Sequence, residues 1–178
     1  MLFKGGNTYT MNSCETIELF YNLRMDIDKL MVAADFNKII LDVTTENQNS
    51  YKILQLYLNT LYVLSELNID KKLLAATFKL RLLSLLGFSP KVTECVNCKE
   101  MENISYFSIK DNGFKCNNCG KVDKSAIQIL PETKDTIKYI LMCPAKKLYS
   151  FETSSEAVKE LELITKLYFN EKLEKEYK

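Results

Sequence analysis

The chain has 178 residues, 47% of them hydrophobic and 26% charged, with 24 basic against 23 acidic side chains and no histidine. That length supports one domain, or one with a small appendage, and is enough to bury a sizeable helical core. The near-zero balance excludes a strongly basic coat for phosphate backbones, and the lack of histidine excludes every Ser-His-Asp or Cys-His catalytic arrangement.

Residues 1–11 have the composition of one strand or half a hairpin, with Gly5 and Gly6 at the turn or bulge. No partner strand is visible nearby, and an isolated strand is not stable. Residues 12–90 are predicted as the first part of a helical domain. Asn12, with Glu15 three residues on, offers an N-cap. Ile17, Phe20, Ile27, Leu30, Met31 and Ala34 then follow at helical spacings, and the helix continues or restarts through Ile39 and Ile40 to Val43. The polar run 44–50 is a loop. From Tyr51 to Leu67 apolar residues point in nearly every direction, which predicts a central helix buried all round, its tyrosines part of the core. Asp70 caps a third helix from Lys71 to Leu86, and Gly87 ends it. The densest apolar run, Leu73 to Phe88, is broken by Lys79 and Arg81, so it reads as a buried helix and not as a membrane span. Ser89-Pro90 then forces the chain into extension.

Residues 91–124 carry the strongest motif. Cys95-x-x-Cys98 and Cys116-x-x-Cys119 are separated by seventeen residues, the pattern of two knuckles that complete a tetrahedron of thiolates around zinc. The segment between them is long enough for one hairpin: Ile104 to Ile109 as a strand, Asp111-Asn112-Gly113 as the turn, and Phe114 returning to Cys116. Gly120 is placed to let the backbone turn back toward the sulfurs. Four cysteines leave no coordination position for water, so the metal is structural; iron also suits an all-sulfur tetrahedron. Metal-bound thiolates suit a reducing cytoplasm better than a disulfide scaffold does, and no signal peptide is visible. Cys14 and Cys143 are read as small core residues. With four thiolates and one dication, the formal charge of +1 becomes about −1.

Residues 125–178 return to helix. Ile127, Ile129 and Leu130 are apolar, Pro131 sits at a helix start, and a short helix runs from Thr133 to Met142. Thr153-x-x-Glu156 forms a capping box for a last helix through Leu173, and the charged tail from Glu171 reads as solvated. The fold class is therefore mainly α: a helical bundle with an inserted four-cysteine zinc ribbon, built on a small β-hairpin, and a residual N-terminal strand.

This order of features resembles the bacterial recombination mediator family RecO. The shared pattern runs Phe78-x-x-Arg81-Leu82-Leu83-x-x-x-Gly87-Phe88-x-Pro90, then Cys95-x-x-Cys98, Tyr106-Phe107-Ser108 and Gly113-Phe114-x-Cys116-x-x-Cys119. Leu2-Phe3-Lys4-Gly5 and Thr10 look like the last strand of that family's OB-fold, most of which is absent from this sequence. The resemblance implies a non-enzymatic DNA repair and recombination protein with RecR, single-strand-binding protein and single-stranded DNA as partners. With so little of the OB-fold and near-neutral charge, binding of single-stranded DNA by this chain alone is expected to be weak. Candidate nucleic-acid or partner contacts are Arg24, Lys79, Arg81, Lys115 and Lys121. The alternative is a stand-alone zinc-ribbon nucleic-acid binder, with Lys99, Lys110, Lys115 and Lys121 touching phosphates.

Overall fold

A computed structural model describes residues 2–6, 8–46 and 48–177. Met1, Asn7, Asn47 and Lys178, from the expected first strand, the 44–50 loop and the charged tail, lie outside the described residues. The N-terminal segment forms two strands, not one. β1 (Leu2–Gly5) pairs antiparallel with β2 (Thr8–Met11), Leu2 opposite Met11 and Phe3 opposite Thr10. Gly6 supplies the positive φ of +62° that the reversal needs. Every side chain of the two strands is exposed.

The helix expected from Asn12 does not form there. Residues 12–19 carry no helix, Ile17 is 99% exposed, and Phe20 adopts a left-handed φ of 47° that stops propagation. Cys14, in this stretch, is exposed and not a core residue, whereas Cys143 is buried as expected. A single turn, α1 (Tyr21–Arg24), precedes α2 (Ile27–Val43). The operative cap is Asp26, whose carboxylate accepts the N–H groups of Asp28 at 2.9 Å and Lys29 at 3.1 Å. α3 (Tyr51–Glu66) runs antiparallel to α2, with Lys29 Nζ donating to the Ser65 carbonyl and Tyr57 Oη to Asn37 Oδ1. It is not buried all round: Tyr51 and Tyr62 are exposed, because the fold packs against only one side of it.

α4 (Lys71–Leu85) lies at the centre. Its Leu74, Phe78, Leu82 and Leu83 are fully buried, and Phe78 packs tilted against Phe36 of α2 with ring centroids 4.5 Å apart. Asp70 caps it, as expected. Gly87, at φ +92°, ends it in a turn closed by Phe88 N–H on the Leu83 carbonyl.

The cysteine-rich segment follows, and its last part is the short helix α5 (Asn117–Val122). The chain then re-enters the helical body through α6 (Pro131–Met142), with Pro131 in its first turn, and α7 (Ser155–Leu173). Ser154, not Thr153, caps α7 by accepting from Ala157 N–H. Thr153 Oγ1 and Ser154 donate instead to Glu132 of α6, binding the two helix starts together. α7 packs along α4, with Leu161, Ile164 and Phe169 at 0–1% exposure. Nor is the tail simply solvated. Glu174 reverses the chain at φ 51°, Tyr177 packs edge-on to Phe169, and its hydroxyl donates to Asp42 of α2 at 3.0 Å.

Candidate metal centre

The inserted segment builds a three-stranded antiparallel sheet in the order β4-β3-β5, from β3 (Ile104–Ser108), β4 (Gly113–Cys116) and β5 (Ile127–Gln128). The sequence does not signal β5 as a strand; its two residues add to the free edge of β3 opposite Tyr106 and Phe107. One face of the sheet joins the helical core. Phe107 is fully buried, with Phe114 edge-on at 6.0 Å and Tyr168 of α7 edge-on at 5.6 Å. Ribbon and helices therefore share one hydrophobic cluster.

Each cysteine pair is positioned by backbone hydrogen bonds. In the first knuckle Cys95 N–H donates to the Glu100 carbonyl at 2.7 Å, and Lys99 N–H closes back onto the Cys95 carbonyl at 3.0 Å. Lys99 takes a φ of +67° to make that turn. Val96 N–H donates to the Phe114 carbonyl, which docks the knuckle against β4. In the second, Cys116 ends β4 and Cys119 follows within the first turn of α5. Gly120 has no positive φ; it is a glycine because the Tyr106 ring occupies the space that a Cβ would need. Gly113 is constrained similarly, since a Cβ there would overlap the Lys91 carbonyl oxygen.

The result brings the sulfurs of Cys95, Cys98, Cys116 and Cys119 within 4.8 Å of one another, with Cys98 and Cys116 at 3.6 Å. A tetrahedral zinc–thiolate site, with bonds near 2.3 Å, has sulfur–sulfur edges of about 3.8 Å, so these residues fit a metal ion of that kind. Cys95 and Cys116 are buried, Cys119 is half-buried and Cys98 is exposed. Burial opposes ionisation of Cys95, but the N–H groups of Cys98, Cys116 and Asn97 aimed at its sulfur hold its pKa at about 6. Cys119, crowded by the sulfurs of Cys98 and Cys116, is pushed up to about 12. Four sulfurs this close ionise together only around a cation, which is the chemistry of a metal site.

The cationic candidates separate into different roles. Arg24 and Lys121 are exposed. Lys115 is not a surface contact: it is 3% exposed, and its ammonium lies between Asp111 at 2.5 Å and Asp123 at 2.6 Å. Burial disfavours its charge, yet the two carboxylates raise its pKa, and Lys115 and Ser125 in turn hold Asp123 well below the usual carboxylate range. Lys79 is half-buried with its amine 5.9 Å from the Phe169 ring. Arg81 is not committed to a carboxylate among the described residues, nor is its guanidinium free. It donates to the carbonyls of Ile140, Leu141 and Cys143 at 2.7–2.9 Å and so caps the C-terminus of α6.

Arg81 also borders a groove that spacing does not reveal. Two adjoining cavities of about 230 and 320 Å³ share Asn59 and Ala145 between α3 and the 3-10 turn Ala145–Lys147. Lys52, Arg81 and Lys146 supply cations and Leu56, Leu85 and Leu148 an apolar floor; among the described residues no carboxylate lines either cavity. Lys52 and Lys146 are far apart in sequence, so only the fold brings them together. Among the described residues no helix is long and apolar enough to cross a membrane.

Comparison with known proteins places these features in a family. The family described as Recombination protein O C terminal matches residues 24–178. The DNA repair protein RecO of Acetivibrio thermocellus is 39% identical over 178 residues, covering 99% of this chain and 71% of that protein. Its namesake in Thermoanaerobacter sp. is 33% identical over 178 residues, covering 100% of this chain and 72% of the relative. The Bacillus subtilis protein of the same name is 25% identical over 162 residues, 91% of this chain and 63% of its own length.

Proposed function

The chain belongs to the RecO family of DNA repair proteins, and on that premise we propose that it is a non-enzymatic, cytoplasmic mediator of DNA repair and homologous recombination. The observation that carries the reading is the match along the whole chain to proteins named for DNA repair, at up to 39% identity. Zn²⁺ is the proposed metal, held by Cys95, Cys98, Cys116 and Cys119 in a structural role. The all-sulfur donor set suits zinc and leaves no open position for a reacting water. When bound, it would tie the two knuckles together and fix the outer end of the ribbon.

RecR, single-strand-binding protein and single-stranded DNA are the proposed partners. The groove beside Arg81 supports a site for the acidic, apolar tail of single-strand-binding protein. An apolar floor rimmed by cations favours a peptide of that composition. The reading as a stand-alone zinc-ribbon nucleic-acid binder is less well supported, because Lys115 is neutralised within the ribbon and Lys99 pairs with Glu94. The test is fluorescence anisotropy with a labelled acidic tail peptide and with a labelled oligonucleotide at two salt concentrations. The peptide should bind, Lys52→Glu should weaken it about tenfold or more, and the oligonucleotide should bind weakly. Tight, salt-sensitive binding of the oligonucleotide by this chain, with no binding of the peptide, would promote the ribbon reading instead.

A further inference from the structure

On α4, Lys72, Ala75, Ala76 and Lys79 are neighbours at three- and four-residue spacings and so share one face of the helix. The two alanines are too short to fill the space beside that face, and a cavity of about 230 Å³ opens there between α4 and α7. Lys71 also lines it, α7 contributes Glu162, Thr165 and Lys166, and Val32 of α2 adds an apolar wall. Four ammonium side chains therefore surround a space lined by one carboxylate, and that carboxylate is already committed: Glu162 pairs with Lys72 at 3.0 Å. Lys71 is paired with Asp28, which does not line the cavity, at 3.1 Å.

The rest of the wall is unfavourable as it stands. Lys79 is half-buried, and burial lowers its pKa although Asp35 and Glu162 favour its charge; Lys166 opposes that charge further. Lys166 itself is in no ion pair among the described residues. Thr165 is 1% exposed, and its hydroxyl has no hydrogen-bond partner among the described residues. A buried polar group left in that condition costs stability and calls for a reason. An anion between Lys79 and Lys166 would relieve their repulsion. A threonine on a helix has two χ1 rotamers open to it, so its hydroxyl can turn to donate to such a group.

We infer that this cavity between α4 and α7 binds a phosphate monoester, with Lys79 and Lys166 as its cations and the Thr165 hydroxyl as a neutral donor. A phosphate monoester carries close to two negative charges and three strong acceptor oxygens, which matches two ammonium groups and a hydroxyl. A carboxylate, with one charge and two oxygens, would leave one lysine without a counter-charge. The volume admits one such group and not a run of nucleotides, so a nucleic-acid strand would enter only by a phosphorylated end. The strand end as source rests on the DNA-repair reading above; the phosphate site itself does not. None of its residues belongs to the metal centre or lines the groove beside Arg81.

The experiment titrates inorganic phosphate into the full 178-residue chain and follows the backbone amide resonances of Lys79, Thr165 and Lys166, with chloride at matched ionic strength as the reference. Those resonances should move saturably in phosphate and not in chloride. Lys166→Gln, at an exposed position that the fold tolerates, should raise the dissociation constant about tenfold or more, as loss of a charge-assisted donor does. Thr165→Val should weaken phosphate binding while raising the melting temperature of the ligand-free protein, because it removes the hydroxyl that lacks a partner. Lys124→Gln, at an exposed lysine elsewhere, should change neither. A second arm compares a 5′-phosphorylated oligonucleotide with its unphosphorylated twin by fluorescence anisotropy. Preference for the phosphorylated strand, lost in Lys166→Gln, identifies the strand end as the source. Saturable phosphate binding without that preference identifies a free phosphate or small phosphate ester and overturns the strand end alone. Resonances that do not saturate, or a phosphate affinity unchanged in both Lys166→Gln and Thr165→Val, would overturn the site.

Discussion

A methyl group on Gly113 would overlap the Lys91 carbonyl oxygen, and one on Gly120 would overlap the Tyr106 ring. The two positions differ in what must yield. A tyrosine ring can shift, whereas the Lys91 carbonyl is held by Phe114 N–H at 2.9 Å and belongs to the backbone that orients the first knuckle. Gly113→Ala should therefore destabilise the ribbon by about 1–3 kcal/mol, the usual cost of overpacking. Gly5→Ala, with nothing within 4 Å, should leave stability unchanged. Thermal melting of the metal-loaded variants checks both, and an unaltered Gly113→Ala melt would show that the hairpin turn has slack. The four ligands are legible in the sequence because spacing within each pair is local and cysteine chemistry is narrow. The role of Lys115 is not, because its burial depends on Asp123 arriving from beyond α5, and no periodicity signals that approach. Gly120 misleads in a different way: glycine most often signals backbone freedom, and here it signals lack of room.

Among the elements, the C-terminus of α6 depends on one side chain from α4. Arg81 satisfies the carbonyls of Ile140, Leu141 and Cys143, which a helix end leaves without intrahelical donors. Arg81→Ala should lower the unfolding free energy by about 1.5–3 kcal/mol, the range for hydrogen bonds from a charged donor. A denaturant titration measures it; unchanged stability together with lost partner binding would make Arg81 a recognition residue alone. The start of α6 carries a different dependence, on pH. Glu132 accepts from the Ser154 hydroxyl and N–H and from the Thr153 hydroxyl, and these bonds hold its pKa below the ordinary 4.5. A lowered folded pKa means that the contribution is complete above 4.5 and is lost as pH falls through the lowered value. The difference in melting temperature between wild type and Glu132→Gln should thus be largest near neutrality and shrink in acid. A difference that stays constant with pH would mean that charge is not what the pairing uses. Helices 51–66 and 71–85 are readable because period and flanking signals agree. The stretch 12–26 is not, because the left-handed Phe20 stops the helix that Asn12 would start, and Asp26 caps α2 instead. Ser154 displaces Thr153 for a tertiary reason, the demand of Glu132, which local pattern does not contain.

At the scale of the molecule, the sequence suggests two separable parts, and the structure joins them through aromatic residues. A ribbon held only by its metal would melt on chelation without consequence for the helices. Here Phe107 and Phe114 are fully buried, Phe107 meets Tyr168, and the Tyr168 hydroxyl donates to the Phe88 carbonyl just after α4. Burying a phenylalanine contributes roughly 1.5–3 kcal/mol, and that part of the ribbon's attachment does not pass through the sulfurs. The knuckles are another matter, since their four thiolates repel one another unless a cation lies between them, and binding in zinc-finger peptides is worth about 10–16 kcal/mol apparent. Chelation should therefore divide the ribbon. Cys95 to Cys98 and α5 should lose order, while β3 stays docked on α7 and most helical circular dichroism persists. Because α5 leads into Asp123 and β5, however, the helices should also melt at a lower temperature than in the metal-loaded protein. Far-ultraviolet circular dichroism before and after chelation, followed by a thermal scan of each sample, separates the outcomes. Complete loss of helix would mean that the ribbon nucleates the fold, and an unchanged melting temperature would mean that the shared aromatic core transmits nothing from the metal site.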